Sequence, residues 1–261
     1  HAVCGATLVT SAADDGSAGT LRKVIENACT GATITFDTAG AFSTPQTITL
    51  LTGELVINKN LTIVGPALAA NAVTISGANN TRVFNVNTGF SFSMVRLTVS
   101  NGRKTGNGGA ILNDGTLTVV SSTLNGSLAD LGDGGAIATT GTATLINTTI
   151  SGNNATANGG GISVLGGTIT ITNSTITDNR ADSEADTIGS GGGIIVSGGT
   201  VLLKNTIVAG NFKGAGSTAD DINGTVDPAS SFNLIGTGGS GGLSNGVNSN
   251  QVGVADAKLG L

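Results

Sequence analysis

Apolar and polar residues alternate along most of this chain in short runs, and Gly or Asn stands between the runs. A period of two marks a strand with one buried face. The pattern predicts strands at 6–10, 33–36, 47–51, 55–57, 61–64, 73–76, 83–86 and 94–99. One stretch differs. In 20–28, Leu21, Val24, Ile25 and Ala28 recur at i, i+3, i+4 and i+7, which predicts a helix with Thr20 as its N-cap.

From residue 101 the strands become periodic. The phrase Gly108-Gly109-Ala110-Ile111 returns as Gly134-Gly135-Ala136-Ile137, Gly160-Gly161-Ile162 and Gly192-Gly193-Ile194, with isoleucine steps of 26, 25 and 32 residues. Leu124, Ile150, Ile176 and Val208 keep nearly the same step, as do Leu117, Ala143, Ile169 and Val201. A fixed period of this size is the mark of a solenoid in which each repeat is one turn. The expected fold is all-β, a right-handed parallel β-helix of eight or nine coils at about 26 residues each, preceded by one short capping helix. Three stretches follow: 1–36 with strand and helix, 37–225 with the coils, and an irregular end at 226–261. The helix is expected to cover the first coil, and nothing evident covers the last.

Two asparagine series share the period: Asn153, Asn179 and Asn211, and Asn147, Asn173 and Asn205. Asn tolerates left-handed corners, and stacked Asn side chains bond from coil to coil. The segments 101–107, 126–133, 152–159 and 180–191 precede the Gly-Gly phrases and read as loops on one edge. The six extra residues of the last step fall in the fourth of these, which makes this edge the expected binding face.

Composition narrows the function. Charged residues are 10% of the chain, Trp and Tyr are absent, and the net charge is −5 with 11 scattered basic residues. Nucleic-acid binding needs clustered cations and aromatic platforms, so it is excluded. No apolar run reaches the roughly 20 residues of a membrane span. The polar surface of Thr, Asn, Ser and Gly points to a secreted protein. Cys4 and Cys29, both in the N-terminal segment, are read as a disulfide rather than two buried thiols. Such a loop adds about 3 kcal/mol and belongs to an oxidising compartment. The chain begins with His and reads as a mature or trimmed form.

Chemistry is sparse. The sole histidine is His1, which leaves no Ser-His-Asp or Cys-His set. Asp14-Asp15 and Asp220-Asp221 are the paired carboxylates a glycoside hydrolase would need, and both read as turns. Asp178, Asp182, Glu184 and Asp186 form a weak candidate for Ca²⁺; the spacing lacks the Gly and distal Glu of a strong calcium loop, so no cofactor is expected otherwise. Arg103, Lys104, Asp130, Asp133 and Arg180 are the charged candidates on the binding edge. The pairs Thr116/Thr118, Thr142/Thr144 and Thr168/Thr170 raise ice binding, which the fourth coil interrupts with Leu202.

The stretches Val9-Thr10-Ser11-Ala12-Ala13-Asp14-Asp15, Gly19-Thr20-Leu21-Arg22-Lys23-Val24-Ile25 and Leu61-Thr62-Ile63-Val64-Gly65-Pro66 carry a resemblance, joined by the Gly-Gly-Ile repeats, by 205–211 and by Asn233-Leu234-Ile235-Gly236. With these the chain resembles the bacterial choice-of-anchor Q proteins, which open on a CSLREA-type segment and are similar to the repeats of polymorphic outer-membrane proteins. The resemblance spans nearly the whole chain and implies a surface-exposed right-handed β-helix. It transfers no catalytic residue. The family cysteine precedes the Leu-Arg helix, whereas Cys29 follows it.

The function expected from these readings is a non-catalytic, extracellular, structural or adhesive solenoid. Its expected partners are further copies of itself, joined end to end through 226–261 and 1–36, or surface glycans. A polysaccharide-active enzyme or glycan-binding module is the second reading, and ice binding the third.

Overall fold

The computed structural model describes residues 4–184 and 189–259. His1 and Asp186 lie outside the described residues. Among those described, the strands form sheets of seven, eight, nine and six strands, and the chain visits them in that order on each regular turn. One turn runs through Ile111–Asn113, Thr116–Val120, Thr123–Asn125 and Leu128–Asp130. Strands of successive turns pair in parallel, and the nine-stranded sheet counts about nine turns. The exception is a hairpin, in which Phe212–Lys213 pairs antiparallel with Thr218–Ala219.

The predicted repeat is the register of the sheets. Leu117 lies opposite Ala143, Ala143 opposite Ile169, and Ile169 opposite Val201. The inward column of the nine-stranded sheet is an unbroken stack: Ile48, Ile75, Val99, Leu124, Ile150, Ile176, Val208 and Ile235 follow one another, all buried. A parallel sheet wound into a coil hides one face of every strand, so strict alternation survives in strands of three to five residues. One core column is broken by polar side chains. Asn113 and Thr139 stand between Val86 and Val164, and the Asn113 amide donates to Thr139 Oγ1 at 2.9 Å and to the Thr142 carbonyl at 3.0 Å.

Aligned on the isoleucines, each phrase begins with a glycine pair, at 108–109, 134–135, 159–160 and 191–192, and its two members have separate causes. Gly108, Gly134, Gly159 and Gly191 take φ of +72°, +75°, +66° and +71°, a region that penalises any Cβ. The glycine after each has no such φ; a Cβ on Gly109, Gly135, Gly160 or Gly192 would stand 2.2 to 2.4 Å from main-chain atoms of a neighbouring coil. The first glycine turns the chain and the second lets two coils touch. Asn147, Asn173 and Asn205 occupy another corner at φ of 51°, 52° and 47°, and Asn205 donates to Asn173 Oδ1.

The four expected loops differ from the prediction. They hold the strands Arg103–Thr105, Leu128–Asp130, Asn154–Ala155 and Arg180–Ala181, which build the six-stranded sheet. Arg103–Thr105 buries no side chain, and Asn154–Ala155 and Arg180–Ala181, at two residues each, are too short to display an alternation.

The helix forms at Leu21–Asn27, with Thr20 Oγ1 accepting from the Lys23 N–H. In chain order it takes the place of a strand of the seven-stranded sheet, and it buries Leu21, Val24 and Ile25 in the common core. Lys59 Nζ donates to the carbonyls of Glu26 and Ala28, the free acceptors at the helix C-terminus. Cys4 and Cys29 are joined, with their Cα atoms 5.2 Å apart.

The far end also differs from expectation. Leu234–Ile235 continues the nine-stranded sheet, and Gln251–Val252 pairs with it only 17 residues later. This shortened turn carries Leu243 onto the core beside Val226 and Ile235. The last coil is therefore covered by the chain itself.

Candidate functional site

The ionisable groups that the sequence left in turns close the ends of hydrogen-bonded columns. Down one corner, Ser127 N–H donates to Asn153 Oδ1. Asn153 donates N–H and amide to Asn179 Oδ1, and Asn179 donates both to Asn211 Oδ1. Asn211 hands the same pair of bonds to Asp221, whose second oxygen accepts from Gly238 N–H at 2.9 Å.

A second column runs through the Gly-Gly phrases, where the N–H groups of one coil donate to the carbonyls of the next. Its first coil offers the carbonyls of Asn107 and Gly108 to no preceding phrase. The buried Arg82 guanidinium fills both at 2.8 Å and pairs with Glu54 at 2.8 Å. At the other end Gly191 N–H finds the Asp220 carboxylate at 2.9 Å. Burial raises the Asp220 carboxyl above its ordinary value, against the pull of the Gly191 and Gly192 N–H groups and Lys213.

Asp14 is another buried carboxylate, held between the helix and the first coils. Burial alone would raise its carboxyl. Its paired bonds to Arg22, at 2.8 and 2.9 Å, and those from the N–H groups of Leu51 and Thr52 outweigh burial and hold it below the usual carboxylate range.

The edge candidates are spread along the six-stranded sheet. Arg103 pairs with Asp130 on the next coil at 2.7 Å. Lys104 faces Glu54 at 3.9 Å. Asp133 belongs to a corner ladder in which its N–H donates to Asn107 Oδ1 and its carboxylate accepts N–H and amide from Asn158. Arg180 lies over the Phe212 ring at 5.4 Å and donates to the Gly214 carbonyl. The structure does not bring these five together.

Nor does it gather the three described calcium candidates. Asp178 occupies a corner at φ 54°, Asp182 is buried at φ 50° with its N–H on the Ala157 carbonyl, and Glu184 is exposed. Among the described residues no three His, Cys, Asp or Glu side chains form a group that could hold a metal ion.

Two connected hollows lie along the outer surface where the nine-stranded sheet meets the six-stranded one. The first is a trough of about 820 Å³. Its floor is made by side chains in register: Thr74, Thr98, Thr149 and Thr175 in one row, in which Thr123 stands between Thr98 and Thr149 outside the lining, and the buried Ser100 with Asn125, Ser151 and Thr177 in the next. A corner row of Asn101, Gly126, Gly152 and Asp178, all at positive φ, forms its rim. The second hollow, about 690 Å³, lies under residues 254–259, which fold back beside Thr177 and Asp178. Phe212, Ala209 and Ala219 supply its apolar wall. Thr177, Asp178 and Leu259 belong to both hollows.

Sequence reasoning looked for chemistry on the charged edge and missed this trough. Its signal was present in the recurring pattern Thr-x-Ser/Thr/Asn before each corner residue, in 98–101, 123–126, 149–152 and 175–178.

No family model, curated protein or solved structure matches the chain. Among the described residues no helix is long and apolar enough to cross a membrane.

Proposed function

We propose that this chain is a non-catalytic, extracellular β-solenoid of the bacterial surface, of the kind its motifs resemble, and that it serves as a rigid adhesive scaffold. The observation that carries this reading is where its buried charges are spent. Arg82, Asp220 and Asp221 terminate main-chain or amide columns, and Asp14 ties the helix segment to the first coils. Groups held this way stabilise a rod; they are not free to exchange protons with a substrate. The rod's outer rows are hydroxyls and amides, suited to contact rather than to chemistry.

The disulfide supports an oxidising compartment. The helix and the shortened last turn cover the apolar core at its two ends, while every sheet still ends on a strand with one partner, so end-to-end assembly stays the alternative to contact through the side. The proposed scaffold acts through its side.

Electron microscopy of the purified chain, with adhesion assays on bacterial and host-cell surfaces, tests the reading. Single rods that coat surfaces are expected. Turnover of a polysaccharide by the purified chain would overturn it, and filaments would return the weight to end-to-end assembly.

A further inference from the structure

The trough reads as a binding site whose ligand class follows from its lining. Ser100, Asn125, Ser151 and Thr177 repeat once per coil, so the floor presents a hydroxyl or amide every ~4.8 Å along the rod. Four such steps, from Thr74 to Thr175, make a trough about 19 Å long. A ligand that uses the whole floor must repeat along the same axis at nearly the same step. One pyranose unit of an extended glycan has about that length.

Charge narrows the class. The trough lining holds no cation, and Asp178 is its one charged side chain; the adjoining hollow adds Asp221, Asp256 and Lys258, whose ammonium is paired with Asp256. A polyanionic glycan or a nucleic acid would meet more carboxylates than cations over the two hollows. At the rim, Gly126 and Gly152 present bare main chain, so a sugar ring approaches without a side chain in its way. The trough then opens under the 254–259 segment, where Phe212 offers an aromatic wall.

We propose that the trough binds a neutral, hydroxyl-rich polysaccharide laid parallel to the solenoid axis, with one end reaching the hollow under residues 254–259. This names the ligand of the adhesive scaffold argued above and rests on that reading. Each sugar exchanges water for one or two hydroxyl or amide contacts, so single contacts are weak and length supplies the affinity.

Titration of the ¹⁵N-labelled chain with cellohexaose, xylohexaose and mannohexaose tests it, with polygalacturonate as the charged control. At least one neutral hexasaccharide is expected to shift the Gly126, Gly152 and Asp178 amides, and its monosaccharide to do so at least tenfold more weakly. Ser151→Arg, in the floor, should abolish the shifts. Thr144→Arg, outward on the eight-stranded sheet, should leave them. Both side chains point outward, and thermal unfolding checks that both variants fold. Shifts confined to other faces, preference for the polyanion, or indifference to Ser151→Arg would overturn the site. Adhesion without any hexasaccharide shift would discard the glycan and keep the scaffold; loss of both would discard both.

Discussion

Asn211 donates its main-chain N–H and its side-chain amide to the same oxygen of Asp221, each at 3.0 Å, although Asp221 follows it by only ten residues instead of a full coil. The hairpin at 212–219 returns the chain early, and a carboxylate ends the asparagine ladder. An acceptor-only group suits that place. It meets donors from Asn211 on one oxygen and from Gly238 on the other.

Asp221→Ala should therefore cost about 2–4 kcal/mol, since it leaves several buried donors unpaired. Asp221→Asn should cost less, because its oxygen still serves Asn211 while its amide opposes the Gly238 N–H. Urea unfolding measures both, and hydrogen exchange at Asn211 and Gly238 should quicken in the alanine variant. Equal losses for the two would refute the acceptor argument.

Asp220 makes a pH prediction of unusual sign. Its folded carboxyl is raised, chiefly by burial, so between the unfolded and folded values the folded state binds more proton. Stability then falls as pH rises through that window. Asp220→Asn should remove this slope and raise Tm at pH 7 by about 2–4 °C, the change expected of ~1 kcal/mol. At pH 3 the two proteins should melt together. A lower Tm for the variant at pH 7 would contradict the assignment.

Asp14 has the opposite sign. Its folded carboxyl is lowered, so its contribution is present above the unfolded value and is lost as pH falls through the folded one. Asp14→Asn removes the charge that faces Arg22, which keeps its bonds to the Gly53 and Glu54 carbonyls, and should cost about 1–2 kcal/mol at pH 7. The penalty should shrink in acid, where the native Asp14 is itself protonated. Denaturant melts of both proteins from pH 7 to pH 2 decide it.

In the core, Asn113 Oδ1 is buried and accepts no hydrogen bond from the described residues. Thr139→Val alone removes one acceptor of the Asn113 amide and should cost about 1–2 kcal/mol. Asn113→Val together with Thr139→Val restores an aliphatic column between Val86 and Val164. The double variant should be close to native, giving a coupling on the order of 1 kcal/mol in a double-mutant cycle. Additive losses would mean that the pair is not acting as a unit.

The second glycine of each phrase predicts a steric effect with no φ component. Gly135→Ala places a Cβ 2.2 Å from the Gly160 carbonyl oxygen and should cost several kcal/mol or prevent folding. Gly216→Ala meets nothing within 4 Å and should be neutral or stabilising by up to ~1 kcal/mol. Comparing the two melting temperatures checks it.

The sequence by itself determined the coil. Alternation told which side chains face inward, and the spacing of Ile111, Ile137, Ile162 and Ile194 told which residues stack, because a parallel solenoid pairs each strand with its own repeat. The helix and its Thr20 cap were legible for the same local reason. Tertiary structure decided what non-local contacts govern. Asp14, Asp220 and Asp221 look like ordinary turn residues in sequence; they are buried because free donors needed acceptors. The six-stranded sheet was hidden because most of its strands are two residues long and Arg103–Thr105 buries no face, so no alternation marks them. The trough was hidden too. Its residues are unremarkable polar positions until winding sets Ser100, Asn125, Ser151 and Thr177 in one row.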